Sequence, residues 1–408
     1  MSKKPIGIDV LTAARDRISQ TFEFFPRVYL SFSGGKDSTV MLHLAADEAR
    51  RRGRKFGVLI VDLEAQYKLT IDHIGAVVSE YADVIELYWV ALPIALRNAV
   101  SVYEPKWMCW DPDAKSIWVR NPDKRSITDE SYFPFFERGM EFEEFVPKFG
   151  DWYSQGKPCA CMVGIRTDES LNRYRTIASQ KKKTFGGRCW TTRIWDTTVY
   201  NVYPIYDWRT QDIWTYHAKT GKCYNRLYDL MHQSGLSIHQ QRICQPYGDD
   251  QRKGLWLYHV IEPETWAKVV ARVAGVNSGS EFVQFNGNAS GQVKISKPDG
   301  HTWQSFCEVI LDSLPEHMAE HYRNKIHVFL RWYENKGYPN GIPDEADPKL
   351  ESARKAPSWR RIAKMLLRND YWAKGLSFSQ TKHGFFYEQY MKRIKKEREE
   401  RKNAAGIR

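Results

Sequence analysis

The 408-residue chain carries 61 Lys and Arg against 49 Asp and Glu, a net charge of +12. That length suits two or three domains of ordinary size, and an aromatic content of 14 % excludes a merely disordered basic chain. Seven scattered cysteines, an odd number, exclude a disulfide framework, and no run approaches the roughly 20 apolar residues of a spanning helix.

In chain order, MSKKPIGIDVLTAARDR lacks the apolar block of a signal peptide, so a cytoplasmic chain without a membrane association is expected. The positive balance suits a polyanion such as a nucleotide or a nucleic acid. Val28 to Phe32 reads as a short strand, and Val40 to Arg52 as a helix with Val40, Met41, Leu44, Ala45 and Ala49 on one face. The continuous apolar run Phe56 to Val61 predicts a strand buried on both faces. A helix over Lys68 to Tyr81 and a strand over Val84 to Val90 follow. Residues 101–157, rich in Trp, Pro and Asp, break the rhythm and read as an insertion or lid with a short helix near Phe142 to Phe149. The pattern resumes with a strand at Met162 to Ile165, one near Val199 to Tyr203, and a helix from about Thr210 stopped by Gly221. The expected fold is therefore α/β, a doubly wound, mostly parallel five-stranded sheet over residues 1–250. Residues 251–408 read as a mostly helical C-terminal domain, with a turn-rich start and a mixed-charge helix at the end.

The segment LSFSGGKDST, residues 30 to 39, joins the first strand to the first long helix. A helix N-terminus leaves backbone N–H groups unpaired and carries positive partial charge, so it holds an anion well. Gly34 and Gly35 let the loop curl, Ser33, Ser38 and Thr39 add hydroxyls, and Lys36 adds charge. Asp37 is the candidate ligand for Mg²⁺. The Walker A spacing is not met, because the two glycines are adjacent and directly precede the lysine.

The hexapeptide SGGKDS resembles the PP-loop of the superfamily containing ATP pyrophosphatases and phosphoadenylyl-sulfate (PAPS) reductases. GIRTDESLNRYR resembles that family's Gly-x-Arg-x-x-Glu-Ser-x-x-Arg segment. YPIYDWRTQDIWTY resembles its Pro-Ile-x-Asp-Trp segment. The resemblance covers roughly residues 25 to 250 and implies an adenine nucleotide alpha hydrolase-like fold that binds ATP or a related adenine nucleotide with Mg²⁺. It implies nucleotide contacts from Ser31, Ser33, Gly34, Gly35, Lys36, Asp37, Ser38, Thr39, Asp62, Gly164, Glu169 and Ser170, with Lys36, Asp37, Arg166 and Arg173 at the phosphates. Asp62 is read either as a ribose contact or as a cap of the next helix, while Trp208 and Trp214 read as core. Lys181 to Lys183 and Arg188 read as a flap over a polyphosphate or as a solvated loop.

The reductases of this family use a thiol in a Glu-Cys-Gly-x-His motif, which this chain lacks. Cys307 reads as buried and inert, and Cys159 and Cys161 as packing residues, with a redox-active thiol or a metal ligand as the alternatives. Cys223, His232, His239 and Cys244 carry zinc-binding atoms at a spacing that fits no common zinc pattern. The expected activity is thus cleavage of the α,β-phosphate bond. The overall look is similar to the immunoglobulin-binding regulator A subgroup, which implies a ParB-like protein partner and a link to DNA. A sulfonucleotide reductase and a non-catalytic regulator are the alternatives.

Overall fold

The structure, a computed structural model, describes residues 7–100, 106–194, 197–248, 255–273, 295, 297–314, 316–367 and 370–378. Two compact units are present. The first comprises residues 1–96, 108–246 and 253–273, and the second residues 97–107, 247–252 and 274–408.

The first unit is built on a six-stranded sheet of β1 (Arg27–Ser31), β2 (Phe56–Val61), β3 (Ile85–Val90), β4 (Cys159–Met162), β5 (Thr191–Arg193) and β6 (Val199–Val202). Their spatial order is β3-β2-β1-β4-β6-β5, with every pair parallel except the β5–β6 pair. The expected sheet had five strands. The sixth is the short antiparallel edge β5, where Thr191 pairs with Val202 and Arg193 with Tyr200. The fourth strand also begins three residues earlier than expected. Cys159 and Cys161 therefore lie inside it rather than at its mouth, and Val163 to Ile165 have already left the sheet.

Helices α1 (Val10–Phe24), α2 (Lys36–Arg52) and α3 (Lys68–Glu80) cover one face of the sheet. Ile18 and Phe22, Val40 and Leu44, and Ile74 and Val77 join Val28, Leu30, Val58 and Ile60 in one core. α2 is well specified locally: Asp37 lies in its first turn, Arg50 to Arg52 in its last, and Gly53 closes it at φ +59°. The other face carries α4 (Phe142–Ser154), longer than the short helix expected there. Its Phe149 and Tyr153 meet Tyr29 of β1 edge to face, both at 5.3 Å between ring centres. Beyond β3, Ile127 adds a single bridge, donating its N–H to the Trp89 carbonyl at 2.6 Å and accepting from Ala91 at 2.9 Å. α5 (Leu171–Ala178), α6 (Thr210–Thr220, closed by Gly221 at φ +66°), α7 (Leu227–Gln233), α8 (Trp256–Ile261) and α9 (Pro263–Arg272) complete the described part of this unit.

The strand order makes the site. From β1 the chain winds one way through β2 and β3, then crosses back to place β4 on the other side of β1. The loops leaving β1 and β4 diverge at their carboxyl ends, where open α/β sheets form their ligand crevice.

Over its described residues from 297 to 378 the second unit is mostly helical, with α10 (Trp303–Asp312), α11 (Glu316–Glu334) and α12 (Trp359–Leu367) as its long helices. Trp303, Cys307, Tyr322, Ile326, Phe329, Ile362 and Leu366 form its core. α10 begins with a reciprocal cap: Thr302 Oγ1 accepts the Ser305 N–H, and Ser305 Oγ accepts the Thr302 N–H, both at 3.1 Å. Cys307 is fully buried and its thiol is pushed up to about 12 by that burial, so it is inert as expected. Most of the turn-rich stretch 276–300 and the mixed-charge terminal helix expected over 391–408 lie outside the described residues.

Candidate functional site: the loop after β1

The chain leaves β1 through Phe32 and Ser33 and turns at Gly34, whose φ of +71° lies in the left-handed region. A Cβ at Gly34 would stand 2.8 Å from Ile74 Cγ1 of α3, so both conformation and space demand glycine. Gly35 is the N-cap of α2 and has no side chain to satisfy the first amides. Ser38 Oγ donates to the Gly35 carbonyl at 3.0 Å and lies 3.1 Å from Ser33 Oγ, which ties the loop across itself.

The β4 side closes on this loop. A Cβ at Gly164 would stand 3.1 Å from both the Asp37 carbonyl carbon and the Ser38 nitrogen, so a bare backbone is what allows the approach. Two residues on, Arg166 is 2 % exposed, and its Nε donates to Asp37 Oδ1. Its Nη1 lies 3.4 Å from Thr210 Oγ1 and 3.7 Å from Asp168. Lys36, 6 % exposed, places Nζ 3.4 Å from the other Asp37 oxygen. Asp37 therefore bridges two buried cations at the N-terminus of α2, and Asp168 flanks Arg166 from a partly exposed position. Glu169 accepts the Arg166 N–H at 3.2 Å and the Arg173 guanidinium at 2.9 Å, so Arg173 stands at the rim with its side chain 43 % exposed. Ser170 is the N-cap of α5, accepting the Arg173 N–H at 3.3 Å.

Two expected site residues have other company. Thr39 is buried and bonds His73 Nε2 at 3.0 Å; burial and the neighbouring His43 and His217 lower the His73 ring to about 4. Asp62 is wholly buried, accepts Trp89 Nε1 at 2.9 Å and the Glu64 N–H at 3.0 Å, and is paired with Arg120. It does not cap α3. That duty falls to Glu262, which accepts the Lys68 and Leu69 N–H groups at 2.9 and 3.0 Å. Ser31 ends β1, directly behind the loop.

Three residues of the site were not singled out in the sequence. Tyr228 of α7 is buried, and its hydroxyl accepts the Lys36 N–H at 3.0 Å. Asn225 donates Nδ2 to the Gly34 carbonyl at 3.1 Å and to Thr70 at 3.0 Å. The Gln241 carbonyl lies 3.5 Å from Lys36 Nζ. Asn225 and Tyr228 follow α6 by a few residues and Gln241 lies beyond α7, in a segment whose lack of period hides any sign of its neighbours.

Cys159 and Cys161 are 0 % and 2 % exposed. Burial pushes the Cys159 thiol well up and the Cys161 thiol to about 12, so neither is a nucleophile near neutral pH. Among the described residues no group of three or more His, Cys, Asp and Glu is placed to hold a metal ion, which removes the zinc reading of Cys223, His232, His239 and Cys244. Asp37 faces Lys36 and Arg166 and, among the described residues, belongs to no group of three or more His, Cys, Asp and Glu placed to hold a metal ion. Trp208, 1 % exposed, donates to the Val10 carbonyl at 2.9 Å and is core; Asp207 is held by Arg17 at 2.7 Å. Among the described residues no helix is long and apolar enough to cross a membrane.

Comparison with known proteins agrees with this geometry. The family described as "Phosphoadenosine phosphosulfate reductase domain" matches residues 27–234, and one described as "Domain of unknown function (DUF3440)" matches residues 235–342. The "Uncharacterized protein YbdN" of Escherichia coli (strain K12) is 48 % identical over 400 residues, covering 98 % of this chain and 97 % of that one. Among solved structures, the PAPS reductase of Candida auris in a phosphate complex is 16 % identical. The alignment covers 57 % of this chain and 94 % of that one with a TM-score of 0.33. The FMN adenylyltransferase of Candida glabrata in complex with ATP is 16 % identical over 54 % of this chain and 57 % of that one, with a TM-score of 0.30. With the PP-loop at the switch point and a family match across half its length, this chain belongs to the phosphoadenosine phosphosulfate reductase domain family.

Proposed function

We propose that the chain binds an adenine nucleotide such as ATP by its phosphates at the loop Ser33 to Ser38 and cleaves the bond between the α- and β-phosphates. An oxygen nucleophile attacks the α-phosphorus, the bond to the bridging oxygen breaks, and its electron pair leaves on pyrophosphate. The adenylyl group passes to an acceptor or, with water, becomes AMP. The observation that carries this reading is the pair of buried cations, Lys36 and Arg166, bridged by Asp37 at the N-terminus of α2, with Asp168 reaching Arg166 only at 3.7 Å. Such a cluster favours charge that accumulates on a leaving pyrophosphate and needs no reorganisation to do so. The Tyr228 hydroxyl on the Lys36 N–H supports it, since an oxygen acceptor already stands where a phosphate oxygen is expected. Magnesium is expected to arrive on the triphosphate, with no protein cage of its own.

Incubation with ATP labelled at the α-phosphorus, with Mg²⁺, should yield AMP or an adenylylated product together with pyrophosphate. Lys36→Met should reduce nucleotide affinity by roughly 100-fold, about 2.7 kcal/mol. Indifference to every adenine nucleotide, or turnover unaltered by Lys36→Met, would sink the reading. Binding without turnover would favour the non-catalytic regulator instead. The ParB-like partner belongs to the same proposal and rests on the likeness to the immunoglobulin-binding regulator A subgroup; co-purification of the two chains is its test.

One observation favours a second reading, a sulfonucleotide reductase. Cys244 is half-buried, and it follows Gln241 at Lys36 and Arg242, which donates to the Glu169 carbonyl at 3.2 Å. Its thiolate would attack the sulfur of PAPS and expel the nucleotide, and thioredoxin would then release sulfite. Sulfite release abolished by Cys244→Ser, and retained in Cys159→Ser and Cys161→Ser, is what that reading requires.

A further inference from the structure

Between Leu171 and Arg193 the chain carries seven Arg and Lys and no Asp or Glu. This segment spans α5, a strap over residues 179–190 and β5, and the topology decides where its charge goes. α5 follows the Arg166 turn, so Arg173 and Arg175 stand at the end of the sheet that holds the PP-loop. The strap enters β5 beside Val202, at the carboxyl end of β6, and folds back along that edge, where the Arg193 N–H donates to the Lys183 carbonyl at 2.8 Å. It reaches the opposite end of the sheet at Phe24, whose ring lies 4.3 Å from the Arg188 guanidinium carbon. Arg188 and Arg193 thus lie along that edge, Lys182 ties the strap to α5, and Arg173 and Arg175 stand at its PP-loop end.

Apart from Arg173, none of them forms an ion pair with a carboxylate among the described residues. Lys182 is structural, because its ammonium donates to the Thr176 and Cys189 carbonyls at 3.2 and 2.5 Å and pins the strap. Lys181 and Lys183 on either side of it, and Arg175, are exposed, with no side-chain hydrogen bond among the described residues. Unneutralised like charge along an edge is repulsive and must be offset by solvent or by a polyanion. Aromatic surface interleaves with it: Phe24 is 37 % exposed and lies 6.1 Å from the half-buried Phe185 ring. Cations that track a backbone, beside rings and an arginine plane on which bases stack, are what a single-stranded nucleic acid uses.

We propose that this edge, from α5 through the strap to Phe24, is a binding surface for a single-stranded nucleic acid. The surface is independent of the nucleotide reading and can fail or stand without it. The test is fluorescence anisotropy with labelled 20-mer single-stranded RNA, single-stranded DNA and duplex DNA from 50 to 200 mM NaCl. It compares the full chain with the triple variant Arg175→Glu, Lys181→Glu, Lys183→Glu, whose exposed native side chains make no hydrogen bond or ion pair among the described residues.

Single strands should bind more tightly than the duplex, with affinity falling steeply with salt. The triple variant should lose roughly tenfold or more in affinity, and its log–log salt slope should shrink by about 2. Phe24→Ala should weaken single-strand binding several-fold while leaving the salt slope unchanged. No binding at 50 mM salt, binding indifferent to the triple variant, or equal capture by phosphatidylserine vesicles would each overturn the proposal. ATP binding is measured in parallel, and its survival in the triple variant separates this surface from the PP-loop.

Discussion

At the end of β2, two wholly buried carboxylates are saturated with donors. Glu64 accepts the Trp110 and Val119 N–H groups at 2.7 and 3.1 Å and the Arg272 guanidinium at 2.7 and 3.2 Å, while Asp62 takes Trp89, Arg120 and the Glu64 N–H. At the end of β1, two strands' width away from β3, the contacts are looser: Lys36 Nζ stands 3.4 Å from Asp37, and Arg166, held by Asp37, stands 3.7 Å from Asp168. Both clusters are buried and both lie at the carboxyl edge of one sheet. What separates a clamp from a binding site is therefore satisfaction, not burial. The β2 cluster fastens the insertion and α9 to the sheet; the β1 cluster lies at the helix N-terminus where the proposed phosphate contact falls.

The comparison can be broken in several ways. Arg272→Ala leaves Glu64 charged and buried with no guanidinium, and should cost about 3–5 kcal/mol of stability, read as a fall in the urea midpoint. A change in nucleotide affinity with no loss of stability would mean that the β2 cluster is a site after all.

Next in size is acid sensitivity on α2. Burial lowers His43 to about 4, and its Nδ1 accepts the Tyr81 hydroxyl at 2.6 Å while Nε2–H donates to the Cys223 carbonyl at 2.8 Å. His43 and His73 are thus neutral in the fold and have ordinary values near 6.5 when unfolded. Their contribution is complete above about pH 6.5 and is lost as pH falls toward 4, on the order of 3 kcal/mol each. His43→Gln should flatten the stability profile across that window, and an unchanged profile would contradict it.

Gly164→Ala should act on the β1 cluster alone, pushing Asp37 and Ser38 away. We expect a roughly tenfold loss of nucleotide affinity with about 1–2 kcal/mol of destabilisation. Smallest is Thr302→Ala, which removes one cap of α10 and should cost about 1 kcal/mol without touching nucleotide binding.

Much of this was legible in the chain itself, and what was not shares a physical cause. The β1 turn and α2 announce themselves locally, through paired glycines, hydroxyls, a first-turn acid and last-turn arginines. Four of the six strands follow from apolar runs at or near the expected residues. β5 was missed because Thr191 to Arg193 is three residues long and owes its pairing wholly to β6. The fourth strand was displaced because Cys, Ala and Cys are small and look like a turn until a sheet buries them. At the site, the cations and the carboxylate were expected, but Asn225, Tyr228 and Gln241 reach the loop across some 190 to 205 residues of sequence. No local pattern encodes such a meeting. The partnership of Asp62 with Trp89 and Arg120 was hidden for the same reason, since one donor lies in the next strand and the other in the insertion.

The two margins of the sheet lead somewhere further. One ends in the lone Ile127 bridge and the other in a three-residue reversed strand whose outer side is already met by Lys183. Each margin is blunted at these positions, so an incoming extended peptide meets an interrupted row of amides and carbonyls there. Among the described residues, edge-to-edge pairing of this sheet with a second copy is disfavoured at those positions.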